Sequence, residues 1–257
     1  MASFDDVKWM RDYFPISLVK TAELDASQKY VFGYHPHGIF PYGSMIAFGT
    51  DALSISKLFP GINFRVMTMG FLFYLPGFRE WAAAQGAGSV SKDSCVEALR
   101  RGNSPVIVFG GTRDMGYAIP GTYDLVVKRR LGFIKLAIQN GAHVVPIFSF
   151  GENDTWETAG HPWLRRFREI SLKLVGRSFV IPYGQGLFDD DKPGLMPYRR
   201  PIVIVVGRPI ECPHQSDPTN VVLINIQEQY LAELQNIWEQ YKDIYAKDRK
   251  SELRFVD

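Results

Sequence analysis

The sequence has little of two features that mark large classes of protein. Its 29 basic and 27 acidic side chains give a formal net charge of +2, so the basic excess typical of nucleic-acid binding is missing. It has two cysteines, Cys95 and Cys212, too few for a disulfide scaffold and without a second cysteine at metal-binding spacing. We therefore expect no nucleic-acid partner and a reducing compartment.

Long apolar runs are also missing. No apolar stretch reaches the roughly 20 residues that span a bilayer. Asp5 and Asp6 lie where a secretion signal would carry a basic segment followed by an apolar one. A composition of 46% hydrophobic and 22% charged residues excludes disorder and coiled-coil rods, and the length suits one large domain. We expect a single domain over residues 1–257.

Aromatic residues, in contrast, are plentiful at 14%, and some of them cluster. One segment between Arg65 and Arg79 is free of charge but too short and too broken by glycine and proline to be a transmembrane helix. It suits a membrane interface or a lipid-binding groove, and equally a buried strand and turn. Its aromatic residues are Phe71, Phe73, Tyr74 and Phe78.

Short apolar runs alternate with helical patterns along the chain, which predicts an α/β fold. Because near-continuous apolar runs indicate strands covered on both faces, we expect a central, mostly parallel or mixed sheet flanked by helices. The predicted strands are 30–34, 63–68, 105–109, 143–148 and 201–206. The predicted helices are 39–57, 92–101, 131–140, 162–175 and a long amphipathic helix over 217–247.

The sharpest motif is His35-Pro36-His37-Gly38, between a predicted strand and a predicted helix. A histidine at that position is suited to removing a proton from a hydroxyl, and helix N-terminal amides can stabilise an oxyanion. A purely structural pair of histidines remains an alternative. No further histidine or carboxylate stands at a recognisable ligand spacing, so we expect no metal.

A second motif follows the strand over 105–109. Gly110 and Gly111 allow close approach of the backbone to a ligand, although a simple tight turn is an alternative. Arg113 could bind a phosphate or carboxylate, and Asp114 could orient a catalytic imidazole.

Three consecutive cations precede the helix predicted at 131, where they are unfavourable to the helix dipole: Lys128, Arg129 and Arg130. They indicate an anionic partner or a solvated run of charge.

A polar stretch from Gly151 to Asn153, with Glu152 between them, follows the strand over 143–148. Ligand sites of α/β sheets gather at the carboxyl ends of strands. The polar residues after three predicted strands therefore indicate one common site.

At these residues the sequence resembles the acyl-CoA:diacylglycerol acyltransferase type 2 family, which includes monoacylglycerol and wax-alcohol acyltransferases. The resemblance covers essentially the whole chain, including the long C-terminal helix, and the HPHG motif combined with RxGFxKxA…VPxxxFGEN is highly specific. The matching stretches are 11–24, 30–39, the turn at Gly110, 130–153 and 186–210.

The resemblance implies a fold like that of glycerol-phosphate acyltransferases, with His37 as the catalytic base beside His35. Those distant relatives place an aspartate five residues after the histidine, where this chain has Tyr42. The acidic partner must therefore come from elsewhere. We expect Asp114, where the family usually has glutamate, with Glu152 as the alternative.

The reaction implied is a single displacement at the thioester of acyl-CoA, a co-substrate, with no bound cofactor. Amides near Gly38 or the turn at Gly110 and Gly111 would stabilise the oxyanion. The phosphates of CoA would be bound by Arg113, Lys128, Arg129 and Arg130. The acyl chain and lipid acceptor would occupy a groove lined by Phe71, Phe73, Tyr74 and Phe78.

Family members generally carry an N-terminal hydrophobic hairpin that this sequence does not include. Either the protein is peripheral or the sequence is trimmed. We expect it on the cytosolic face of the endoplasmic reticulum membrane or on lipid droplets. Diacylglycerol is the expected acceptor; monoacylglycerol, a long-chain alcohol or another hydroxyl compound are alternatives. A lipid-binding protein without activity is a further alternative, against which both histidines argue.

Overall fold

The computed structural model describes residues 4–74, 76–110, 114–157, 182–187 and 193–256, together with Arg166 and Ile170. Its strands, in chain order, are Ile16–Lys20 (β1), Lys29–His35 (β2), Asn63–Thr68 (β3), Gly88–Ser89 (β4), Asn103–Val108 (β5), Asp124–Val126 (β6), Ala142–Phe150 (β7), Gly184–Gln185 (β8), Pro193–Gly194 (β9), Ile202–Val206 (β10) and Arg254–Val256 (β11). Its α-helices are Phe4–Tyr13 (α1), Tyr42–Gly49 (α2), Ile55–Leu58 (α3), Phe78–Ala84 (α4), Lys92–Arg100 (α5), Gly132–Gln139 (α6) and Asn220–Tyr245 (α7).

Seven of the described strands form one sheet in the order β1-β10-β7-β2-β5-β3-β4. Only the β10–β7 pair among these neighbours is antiparallel, so the predicted mostly parallel or mixed sheet is confirmed. The central strand β2 pairs in parallel with both β5 and β7. The carboxyl ends of these three strands therefore lie at the same edge of the sheet.

Both faces of the sheet are covered, as the apolar runs predicted. Along β2, Val31 belongs to a buried cluster on one face, and Phe32 belongs to a second cluster on the other. Helices α5, α6 and α7 contribute to the Val31 cluster, whereas α2 and α3 contribute to the Phe32 cluster. This arrangement follows from the twofold alternation of side chains along a strand.

The five predicted strands are all present, with bounds that differ by at most two residues at either end. The prediction of one helix over 39–57 is wrong. That stretch forms the two short helices α2 and α3, because Thr50 is extended and Ser54 has a φ of 54°. The predicted helix over 162–175 lies outside the described residues except for Arg166 and Ile170, which are helical.

Helix α7 is the longest described helix, with 26 residues. It begins after Thr219, whose side chain accepts a hydrogen bond from the amide of Val222. Its apolar stripe packs on the sheet beside β7, as the sequence pattern predicted. Among the described helices, none is both long enough and apolar enough to cross a membrane.

Candidate active site

The His35-Pro36-His37-Gly38 motif forms the turn that leaves the central strand. His35 is the last residue of β2, and the chain reaches α2 only at Tyr42. Gly38 has a φ of +63°, and a Cβ there would lie 2.7 Å from the carbonyl oxygen of Glu152. The turn therefore needs glycine at this position, both for its backbone conformation and for its close approach to the residues after β7.

The two histidines of the turn differ in their surroundings. His35 is 2% exposed, its ring stacks on Phe109 with centroids 4.7 Å apart, and its Nε2 lies 2.9 Å from the hydroxyl of Tyr230. Burial, together with the nearby charges of Arg130 and His37, lowers the pKa of His35 to about 3. Because its conjugate acid is so strong, neutral His35 is a weak proton acceptor.

His37 lies against the turn that follows β5. Gly110 has a φ of +155°, and a Cβ built on it would lie 1.2 Å from Cδ2 and 1.7 Å from Nε2 of His37. The imidazole thus occupies the space that any side chain at position 110 would fill. His37 is 8% exposed and lines a small cavity.

That cavity holds about 20 Å³, which is room for about one water molecule. It brings together the end of β2, the end of β5, strand β6 and the turn after β7. The residues that line it include His35, His37, Gly38, Phe109, Val126 and Asn153. Residues that follow three neighbouring strands in the sheet thus share one enclosure.

Glu152 is fully buried and connects three elements. Its carboxylate accepts hydrogen bonds from the Tyr34 hydroxyl at 2.5 Å, the Ser149 hydroxyl at 3.0 Å and the Gly43 amide at 3.1 Å. Burial raises its pKa to about 7, although these hydrogen bonds act in the opposite direction. The carboxylate therefore ties β2, β7 and the start of α2 together beneath the histidine turn.

Three of the four predicted phosphate-binding cations lie within the described residues, in different surroundings. Lys128 and Arg129 are exposed, whereas Arg130 is partly buried. Arg130 donates from Nε to the carbonyl of Val126 at 2.9 Å, and its guanidinium lies 6.0 Å from the centroid of the Phe109 ring. Arg130 thus contacts two residues of the cavity lining, Val126 and Phe109. Arg113 lies outside the described residues.

Two other predicted site residues, Gly111 and the side chain of Asp114, also lie outside the described part of the chain. The backbone of Asp114 begins a 3-10 turn that ends at Tyr117, a residue of the cavity wall. Among the described residues, no group of three or more histidine, cysteine, aspartate or glutamate side chains could hold a metal ion.

The predicted lipid groove follows the end of β3. Phe73 packs against the Phe32 cluster, and Tyr74 is 87% exposed. Together with Arg65 they line an open groove of about 630 Å³. The side chains of Phe71 and Phe78 lie outside the described residues.

Comparison with known proteins assigns this chain to a family. The family model for diacylglycerol acyltransferase matches residues 3–256. The chain belongs to the diacylglycerol acyltransferase family. The resemblance read from its motifs is thereby confirmed, as is the predicted class of enzyme, an O-acyltransferase.

Several relatives have high identity over nearly the whole chain. Diacylglycerol O-acyltransferase 1 of Schizosaccharomyces pombe is 44% identical over 252 residues, which are 96% of this chain and 73% of the relative. Diacylglycerol O-acyltransferase 2A of Umbelopsis ramanniana is 40% identical, covering 98% of this chain and 75% of the relative. The bovine (Bos taurus) 2-acylglycerol O-acyltransferase 1 is 37% identical, covering 96% and 76%.

Among solved structures, the 1-acyl-sn-glycerophosphate acyltransferase PlsC of Thermotoga maritima matches with a TM-score of 0.48 and 11% identity. The match covers 93% of this chain and 84% of PlsC.

The sequence analysis of this family member gave no role to three residues of the site: Phe109 and Tyr230, which contact His35, and Tyr34, which binds Glu152. Tyr230 lies in the amphipathic helix predicted over 217–247, where an apolar period accounts for it as core packing. The signal that could have revealed it is Gly33, because glycine inside a strand often marks the close approach of another group. A Cβ on Gly33 would lie 2.0 Å from the Tyr230 hydroxyl oxygen.

Proposed function

We propose that this protein transfers a fatty acyl group from acyl-CoA to the free hydroxyl of diacylglycerol, with His37 as the general base. Family membership and the names of the relatives support the acyl transfer and the acceptor. The observation that carries the role of His37 is its ring, held against Gly110 in the wall of a small cavity.

The surroundings of the two histidines favour His37 over His35 as the base. The Nε2 atom of His35 is engaged by Tyr230, and a pKa of about 3 leaves its imidazole with little basicity at neutral pH. The ring of His37 lies at the same cavity, against Gly110. A general base is most effective when its pKa is near the working pH.

In the reaction, His37 removes the proton of the acceptor hydroxyl while that oxygen attacks the acyl carbonyl carbon. A carbon–oxygen bond forms, the carbon–sulfur bond breaks, and CoA leaves as a thiolate that takes the proton back from His37. In the described part of the chain, no backbone carbonyl accepts a hydrogen bond from the amides of Gly38 or Gly110. These amides are our candidates for stabilising the oxyanion.

We propose that Asp114, rather than Glu152, orients the imidazole ring of His37. The carboxylate of Glu152 is engaged by Tyr34, Ser149 and Gly43, which gives it a structural role beneath the turn. Asp114 begins the turn that contributes Tyr117 to the cavity wall, which supports its placement at the site.

For the co-substrate, we propose that Arg130 binds a CoA phosphate near the cavity, with Lys128 and Arg129 farther out along the same loop. The acyl chain would lie in the groove beside Phe73 and Tyr74. Diacylglycerol, the proposed acceptor, dissolves in lipid rather than in water. We therefore also propose that the enzyme works on the cytosolic face of the endoplasmic reticulum membrane or on lipid droplets.

A second candidate acceptor is monoacylglycerol. It is favoured by relatives named 2-acylglycerol O-acyltransferase, including the bovine enzyme at 37% identity and the mouse (Mus musculus) enzyme at 39%. The chemistry at His37 would be the same for both acceptors.

The test is transfer of label from radioactive oleoyl-CoA to lipid by the purified protein, with diacylglycerol or monoacylglycerol in mixed micelles. We expect labelled triacylglycerol from the wild type and at least a 100-fold lower rate from His37→Ala. His214→Ala, at an exposed histidine, is the matched control and should retain the wild-type rate.

Two results would contradict the proposal. A His37→Ala rate within tenfold of wild type would remove His37 as the base. Faster labelling with monoacylglycerol than with diacylglycerol would make monoacylglycerol the substrate.

A further inference from the structure

Asn153 carries a buried acceptor atom for which the described residues provide no partner. The residue is 4% exposed, lines the cavity of His37, and its Oδ1 accepts no hydrogen bond within the described part of the chain. A buried acceptor without a donor costs free energy, so such an atom in a native protein requires an explanation.

The orientation of the Asn153 amide follows from its other hydrogen bond. Its Nδ2 donates to the carbonyl oxygen of Thr122 at 2.8 Å. A carbonyl oxygen only accepts hydrogen bonds, so the nitrogen must face Thr122, and Oδ1 is the remaining atom. The unpartnered atom at this position is therefore an acceptor, and it calls for a ligand with an N–H or O–H group.

The backbone around Asn153 is held rigidly. The preceding Glu152 is anchored through its carboxylate to β2, β7 and α2. Gly151 has a φ of +85°, and a Cβ there would lie 2.0 Å from the carbonyl oxygen of Pro201. Asn153 is thus positioned before any ligand arrives, which is the arrangement expected of a substrate-binding group.

The chemistry of the substrates limits which group can donate a hydrogen bond to Oδ1 of Asn153. The reacting hydroxyl has one proton, and His37 removes it, so this hydroxyl does not provide a lasting donor to Asn153. In acyl-CoA, the first N–H group lies two carbons from the thioester sulfur, in the pantetheine arm. When the thioester carbonyl lies beside His37, that N–H is the closest substrate donor on the sulfur side.

We propose that Oδ1 of Asn153 accepts a hydrogen bond from the pantetheine amide N–H nearest the thioester and so places the acyl carbonyl at His37. This inference rests on the proposed acyl-CoA-dependent function. It makes Asn153 a substrate-binding residue of the same cavity and assigns the pantetheine arm to the side of the cavity formed by the turn after β7.

The test uses two small acyl donors that differ at one atom. One is the oleoyl thioester of N-acetylcysteamine, which carries the amide N–H two carbons from sulfur. The other is the oleoyl thioester of 2-acetoxyethanethiol, which has an ester oxygen in place of that N–H. For the wild type, we expect kcat/KM to be about tenfold higher with the amide donor.

The variant Asn153→Leu has a side chain of similar size without the acceptor, and we expect it to use the two donors at equal rates. Comparing two donors within one variant cancels any loss of folded protein. Asn140→Leu removes an asparagine whose amide bonds Leu136 at the end of α6, outside the cavity lining, and should keep the tenfold preference.

Equal use of both donors by the wild type would overturn the inference while leaving the acyltransferase function intact. A preference for the amide donor that persists in Asn153→Leu would also overturn it. If Asn153→Leu does not fold, the preference of the wild type still decides whether the N–H is recognised. Absence of transfer from oleoyl-CoA by the wild type would instead contradict the proposed function itself.

Discussion

The imidazole of His37 occupies the space that a side chain on Gly110 would need, since a Cβ built there would lie 1.2 Å from His37 Cδ2. The end of β5 and the histidine turn after β2 are thus fitted to each other at a distance that only glycine permits. Gly110 therefore determines where the ring of His37 lies.

Gly110→Ala should abolish activity. The new methyl group must displace the His37 ring, and a φ of +155° is unfavourable for alanine. We expect a loss of acyl transfer of at least 100-fold and a loss of stability of about 2–3 kcal/mol. Gly132→Ala, where nothing lies within 4 Å of the added atom, is the control and should keep full activity. Measurable activity above a tenth of wild type in Gly110→Ala would contradict this reading.

Glu152→Gln separates the two roles considered for this carboxylate. A glutamine can still accept from the Gly43 amide and can donate to the hydroxyl oxygens of Tyr34 and Ser149, so the structural tie persists. We expect kcat within about threefold of wild type. A loss of 100-fold with normal folding would instead mean that the charge of Glu152 acts on His37.

Stability should depend on the pH in a way that reveals Glu152. Its pKa is about 7 in the folded protein and ordinarily 4.5, so the folded state binds more protons between these values. The stabilisation that comes from binding this extra proton is fully present below pH 4.5 and is lost as the pH rises to 7. The free energy of unfolding then falls by at most about 1.4 kcal/mol per pH unit. We expect this fall in the wild type and not in Glu152→Gln when the free energy of unfolding is measured with urea at each pH.

His35 should contribute the opposite slope. Its pKa is about 3 when folded and ordinarily 6.5, so the unfolded state binds more protons between pH 3 and 6.5, and stability falls as the pH decreases through this range. In Glu152→Gln, the unfolding free energy should therefore keep rising up to pH 6.5. In the wild type, the two slopes oppose each other between pH 4.5 and 6.5. If the free energy of unfolding of the wild type rises between pH 4.5 and 6.5 as steeply as that of Glu152→Gln, the pKa of Glu152 is not raised in the folded protein.

Tyr230→Phe tests whether α7 supports the histidine turn. Besides its 2.9 Å contact with His35, the Tyr230 hydroxyl lies 3.2 Å from the carbonyl oxygen of Gly33, to which it can donate. Its removal leaves the His35 ring less constrained, and we expect kcat to fall about three- to tenfold with little change in KM. Tyr241→Phe is the control, because Tyr241 lies on the same helix and its hydroxyl makes no hydrogen bond to the residues that the structure describes. An equal fall of kcat in both variants would mean that α7 has a general structural role only.

Arg130→Gln should raise the KM for oleoyl-CoA about tenfold, since it removes the cation that lies behind Phe109 of the cavity lining. Lys128→Gln, at an exposed position on the same loop, should raise it about twofold. Arg208→Gln is the control because Arg208 follows β10, whose carboxyl end lies at the opposite edge of the sheet from that of β7. A KM unchanged by Arg130→Gln would place the CoA phosphates elsewhere.

The sheet could be predicted from sequence because its inner strands are short apolar runs between clear turn residues. Strands that lack this signal were not predicted. β1 is an edge strand in which only Ile16 is buried, and β4 has only two residues. The break between α2 and α3 was also missed, because it depends on the backbone of Thr50 and Ser54 rather than on an apolar period.

The motif residues of the site could be predicted from the sequence, but the different surroundings of the two histidines could not. His35 and His37 are equivalent in a sequence pattern and differ only in what packs against each ring. Asn153 was recognised as part of a polar strand end. Its lack of a hydrogen-bonding partner depends on Thr122, 31 positions earlier in the chain, and no local pattern encodes that contact.

The wall of the cavity has a consequence for when the enzyme becomes active. Strand β6, which lines it, pairs with β11, and Arg254 binds both carboxylate oxygens of Asp124, 130 positions earlier. A ribosome adding about 5–20 residues per second needs roughly ten seconds to cover that distance. During this time the nascent chain carries both histidines beside an unsupported wall. We therefore expect acyl transfer to begin only after synthesis has passed β11, when β6 can gain its partner strand.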